Sequence, residues 1–226
     1  MSEFTLYDAV KELDRLLQEK ETPPFDLKVV GGFALMLNDI RKDKNVYTDI
    51  DYIGSPFSKE IEDCIADIGK KYGFEEHWIN NDVLLSGNSL EDMEFATGKL
   101  HFHPVDDSGL KVIRLSCLNT EDLLRMKVIA IDTAYMAVSL GGDFSRFKDF
   151  LDIEALMNAE NLNMSKLIMQ TSDYVVNNET YDLIAHYLKT HDVKLSNAEG
   201  IYDIVKERRR AILAARRREK EEIERE

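Results

Sequence analysis

The chain has 226 residues, 44% hydrophobic and 32% charged, with a formal net charge of −14 at pH 7. That length suffices for one or two domains with substantial cores, and no apolar run approaches the ~20 residues needed to span a bilayer. So acidic a balance excludes a broad, non-specific nucleic-acid binder, which neutralises phosphates with clustered Lys and Arg.

Apolar residues at Leu6, Ala9, Val10, Leu13, Leu16 and Leu17 predict a helix over Thr5–Glu19, with Thr5 and Asp8 as an N-cap arrangement. Thr22-Pro23-Pro24 stops it, and Phe25–Val30 reads as a strand. The pair Gly31-Gly32 turns the chain into a short helix through Leu37. After a charged connection, Val46–Ile53 reads as a second strand, ended by Gly54-Ser55-Pro56. Ser58–Tyr72 has helical spacing. His77–Leu85, Lys99–Pro104 and Lys111–Cys117 read as strands joined by polar turns. Thr120 is placed as the cap of a long helix, Gly141-Gly142-Asp143 as a break, and the next helix runs to Met157. The remainder reads as helices over Met164–Val176, Glu179–Thr190 and from Asn197 onward. Strands confined to the first half predict an α+β chain: a mixed-sheet α/β core over 1–118 and a helical region over 119–226.

Two features carry chemistry. Asp49 and Asp51, at i and i+2 of a strand, share a face, and paired carboxylates there suit a hard cation such as Mg²⁺. The alternative is a solvated acidic face near a turn. Gly31 and Gly32 let backbone N–H groups approach an anion where the strand enters a helix. An ordinary tight connection is the other reading. Together the two features suggest a site for a metal-bound nucleoside triphosphate.

Gly31-Gly32-Phe33-Ala34-Leu35, then Asp49-Ile50-Asp51, then Lys127, Arg146, Lys148-Asp149 and Asp152-Ile153 form an ordered set of motifs. In that order they resemble the nucleotidyltransferase superfamily, in particular its AbiEii-like, toxin-associated branch. The resemblance covers residues 29–156 and implies a nucleotidyltransferase-type core. It also implies transfer of a nucleoside monophosphate from an NTP, with Asp49 and Asp51 holding Mg²⁺ (or Mn²⁺). Gly31 and Gly32 would cradle phosphates, with Lys127, Arg146 and Lys148 as nucleotide ligands and Lys127 also stabilising the charge that develops in the reaction. Asp149 would complete the acidic cluster or orient the acceptor. An RNA acceptor such as the tRNA 3′ end and an antitoxin protein partner, in a toxin–antitoxin or phage-defence system, are further implications. A non-catalytic nucleotide- or partner-binding protein and an antibiotic-modifying nucleotidyltransferase are the alternatives.

Some residues read two ways. Lys127, in an apolar segment, either snorkels from a buried helix face or meets the triphosphate. Arg146 and Asp149 are also an ordinary i,i+3 pair, and Asp152 a structural partner. Many superfamily members carry a third carboxylate on a following strand, but Lys111–Ser116 has none, so either Asp149 replaces it or the metal set is incomplete. His101 and His103 share a strand face without a third zinc ligand nearby. Arg208-Arg209-Arg210 and Arg216-Arg217-Arg218 sit among glutamates in a tail that is either a solvated helix or a local RNA contact. Cys64 and Cys117 lack a metal-type spacing and read as buried free thiols. With no secretory apolar segment at either end, a cytoplasmic protein without a membrane span is expected.

Overall fold

A computed structural model describes residues 5–41, 49–81, 98–105, 109–139 and 146–191. Among these the chain is α+β, with one mixed five-stranded sheet and seven helices. The strands are β1 (Phe25–Val29), β2 (Ile50–Ile53), β3 (Ile79–Asn80), β4 (Phe102–Pro104) and β5 (Ile113–Leu118). The helices are α1 (Leu6–Glu19), α2 (Gly31–Leu37), α3 (Lys59–Tyr72), α4 (Thr120–Ser139), α5 (Phe147–Ala159), α6 (Met164–Thr171) and α7 (Glu179–Thr190). The chain divides into two compact units, Met1–Met93 with Leu100–Leu123, and Glu94–Lys99 with Leu124–Glu226.

In the first unit the sheet order is β3-β2-β1-β5-β4. β1 is antiparallel to β2 and parallel to β5, β2 is parallel to β3, and β4 is antiparallel to β5. Alternation sends Leu27, Val29, Ile50, Tyr52, Leu115 and Cys117 into the core. That core also takes the apolar stripes of α1 and α3. α1 starts at a capping box, in which Thr5 Oγ1 accepts from Asp8 N and Asp8 Oδ2 accepts from Thr5 N. This satisfies two donors that a helix start otherwise leaves open. α3 packs against the fully buried Trp78, whose Nε1 donates to Ile65 O at 2.8 Å. Gly69 is required there, since a Cβ would stand 2.6 Å from Glu75 O and 3.0 Å from the Trp78 ring. The buried Asp14 of α1 reaches across to accept from the backbone N–H groups of Lys111, Val112 and Ile113. It thereby fixes the entry into β5.

The second unit is helical, with Phe150, Ile153, Leu156, Leu167 and Ile184 fully buried. Its polar pin is Asp132 on α4, which accepts from Val176 N, Asn177 N and Thr180 Oγ1 at 2.8–3.1 Å.

Several expected boundaries shift for identifiable reasons. α4 is capped by Asn119 rather than Thr120, because Asn119 Oδ1 accepts from Asp122 N. α6 ends at Thr171, not Val176: Tyr174 N turns back to Thr171 O, and beyond that turn Val176 N and Asn177 N donate to Asp132 rather than to a continued helix. β4 begins at Phe102, not Lys99: the Lys99 carbonyl accepts from Arg125, and His101 N donates to Asp122. The strand expected over 77–85 is Ile79–Asn80 within the described residues. Residues 46–48, 82–85, 141–143 and the segment expected to be helical from Asn197 onward, with both arginine triplets, lie outside them.

Candidate functional site: the glycine turn and the outer face of the sheet

β1 delivers the chain to α2 through Val30, whose N–H donates to Asp51 O at 2.9 Å. Gly31 follows with φ of +63°, a left-handed conformation that favours glycine. A Cβ built on it would overlap Asp51 Oδ2 and lie 3.4 Å from Asp51 Cγ. The glycine turn and the carboxylate strand, 20 residues apart in sequence, are therefore in contact. Asp49 immediately precedes β2 and, like Asp51, is half-buried, whereas Ile50 between them is fully buried. Among the described residues no three His, Cys, Asp or Glu side chains gather as a metal cluster. Mg²⁺ does not require one, because it commonly takes one or two carboxylates together with waters and substrate phosphates. The partly accessible Asp51 beside a turn with no side chain, with the partly accessible Asp49 two residues before it in sequence, fits that mode.

Strand register defines what else shares the face of Asp51. Lys28 lies opposite Ile53 and Val29 opposite Tyr52. Directly opposed residues share a face, so Lys28 and Asp26 are on the side of Asp51, away from Leu27 and Val29. Across the parallel pair Lys28 neighbours Ser116 and Asp26 neighbours Arg114, and Pro104 pairs with Ser116 beyond them. A groove of about 720 Å³ opens over this outer face, lined among others by Asp26, Lys28, Phe102, Pro104, Arg114 and Ser116. Arg114 Nε donates to Asp26 Oδ1 at 2.7 Å, and Lys28 Nζ stands 5.6 Å from the Phe102 ring centroid. Sequence reading passed over these groove residues. The alternation in Phe25-Asp26-Leu27-Lys28-Val29 was the available signal, but the β1–β5 pairing that assembles them was not.

In the second unit Lys127 meets Asp149 and Asp152. Its Nζ is 2.6 Å from Asp149 Oδ1 and 2.8 Å from Asp152 Oδ2. The lysine is 9% exposed and both aspartates 0%. Burial works against the ammonium, yet the two carboxylates outweigh it and raise the Lys127 pKa above the ordinary lysine value. Arg146 Nη1 lies 3.7 Å from the other oxygen of Asp149, which has no hydrogen-bond partner among the described residues. Lys148 is exposed. The structure thus joins Lys127 to Asp149, with Arg146 at the edge, and closes the lysine between two carboxylates.

The two histidines expected to share a strand face go separate ways, His101 lying just before β4 and His103 within it. His101 Nδ1 is 3.0 Å from the buried Asp122, and His103 Nε2 is 3.1 Å from Cys117 Sγ. Both cysteines are free and buried. Burial pushes the Cys117 thiol up to about 11, opposite to what a nucleophilic cysteine needs. No helix among the described residues is long and apolar enough to cross a membrane. Comparison with models of known families, with curated proteins and with solved structures finds no match to this chain.

Proposed function

We propose that the chain is a nucleotidyltransferase that moves a nucleoside monophosphate from an NTP to an acceptor hydroxyl. The observation that carries this reading is the contact of the Gly31 turn with the Asp51 carboxylate. It brings the turn, half-exposed at Gly31, against Asp51, one of the two carboxylates of the motif. Asp49 and Asp51 would hold Mg²⁺ or Mn²⁺, which supplies charge neutralisation at the phosphates. Gly31, half-exposed, would offer its backbone N–H to the triphosphate, with the buried Gly32 behind it. In the reaction the acceptor oxygen bonds to the α-phosphorus as the α–β phosphoanhydride bond breaks. Pyrophosphate leaves with the electron pair, and the hydroxyl proton passes to water. The motif order supports an RNA end, such as that of tRNA, as acceptor, with a role as the toxin of a toxin–antitoxin pair.

A second reading, a nucleotide-binding protein without turnover, draws on β5. Its outer-face positions are Arg114, Ser116 and Leu118, so it brings no third acid beside Asp51. Each of the four α-labelled NTPs, incubated with the chain and total RNA with and without Mg²⁺, separates the two. Label in RNA only with the metal supports transfer. NTP binding without label or pyrophosphate release in any combination supports the second reading.

A further inference from the structure

Resting on the transferase reading, we propose that the groove over β1, β5 and β4 is the acceptor site and takes the terminal nucleotide of a single-stranded nucleic acid. Its base would lie on Phe102 and its phosphate on Lys28. The argument begins with direction. In-line displacement requires the attacking oxygen to approach opposite the leaving pyrophosphate. With the triphosphate at the Gly31 turn, where β1 ends, the opposite approach runs back over the sheet face from Asp51. Lys28 is the diagonal cross-strand neighbour of Asp51, a separation of about 7–8 Å between such positions. Ser116 and the groove follow directly.

Charge then selects the occupant. Asp26 is paired with Arg114 at 2.7 Å, so the one carboxylate among the described residues that line the groove is paired. No salt-bridge partner of Lys28 appears among the described residues, which leaves its ammonium as the unbalanced charge. A polycationic antibiotic would find nothing to bind there, whereas a phosphate would. Phe102 is half-buried and carries the Lys28 ammonium over its ring, so a base stacking there would take the place of that ammonium and leave it to the phosphate. Terminal nucleotides of single strands are held in this way, by stacking plus a cation on the backbone. A volume of about 720 Å³ lies within the range of small-ligand sites and suits one nucleotide rather than a duplex.

The test is binding of a fluorescent ten-nucleotide single-stranded RNA to the full chain without NTP, read by anisotropy, beside NTP binding with Mg²⁺. Phe102→Ala is expected to weaken RNA binding on the order of 10-fold or more, and Phe102→Trp to restore it. Lys28→Gln should weaken binding and lower the slope of log affinity against log salt by about one. Removing the base from the terminal nucleotide should make the wild type and Phe102→Ala bind equally. NTP affinity should stay within about twofold in both groove variants. RNA binding that neither variant changes, or no RNA binding by the wild type, overturns the groove assignment and leaves NTP transfer standing. Groove-dependent RNA binding in a chain that binds no NTP keeps the RNA site and removes the transferase reading instead.

Discussion

The backbone of Gly31 lies against the Asp51 carboxylate so closely that no Cβ fits between them. Gly31→Ala would therefore act twice. It strains a left-handed backbone position, at a cost of roughly 1–2 kcal/mol, and it pushes aside the carboxylate proposed to hold metal. We expect a modest loss of stability in urea with a larger loss of transfer, on the order of 100-fold. A variant as active as the wild type would show that the position of Asp51 does not matter.

Lys127 is the buried centre of a charged cluster, and Lys127→Ala would leave Asp149 and Asp152 facing one another without it. Removing one partner of a buried ion pair typically costs about 3–5 kcal/mol, and urea denaturation should show a loss of that size. Combining Lys127→Met with Asp149→Asn and Asp152→Asn should recover part of it. The raised pKa fixes the pH dependence. The contribution is complete below the lysine value of the unfolded chain, roughly 10.5. It is lost as pH rises through the higher folded value. A stability profile flat from neutral pH to above 11 would contradict the pairing.

Asp132→Ala should destabilise the helical unit by about 3 kcal/mol, because two backbone N–H groups and the Thr180 hydroxyl lose a buried charged acceptor. Hydrogen exchange should quicken first around Val176–Thr180. Uniform exchange across the unit would argue against a local pin.

Cys64 and Cys117 should resist a thiol reagent at pH 8 in the native chain and react, as two thiols, only after denaturation. Burial raises both thiols. Rapid modification of Cys117 with retained structure would reopen a nucleophilic role beside His103.

These tests follow the uneven legibility of the fold. The β1–Gly31–α2 connection could be read locally, since two glycines after an apolar strand mark a tight turn. The carboxylate strand was read only in part, because β2 starts at Ile50 and leaves Asp49 just outside the strand expected to hold both acids. Helix α1, with Thr5 and Asp8 as its box, was as plain as the turn. The end of α6 was not, because Asp132, which holds the chain that follows the helix out of a continued one, lies 44 residues upstream of Val176. The motif order singled out Lys127 and Asp149, but nothing in their separation says that they meet each other across a buried pair. The groove was hidden for the same reason: Asp26 and Arg114 are 88 residues apart in sequence and become neighbours only through the register of β1 on β5.

The central claim is tested most directly by following transfer from an α-labelled NTP, with Mg²⁺ and RNA, for the wild type, Asp49→Asn and Asp51→Asn side by side. Both carboxylates are half-buried, so the neutral, same-sized amides should leave thermal unfolding within a few degrees of the wild type. The account predicts metal-dependent labelling by the wild type and a loss of at least about 1,000-fold in each variant. Labelling by Asp51→Asn at the wild-type rate, or wild-type labelling that persists in excess EDTA, would contradict it.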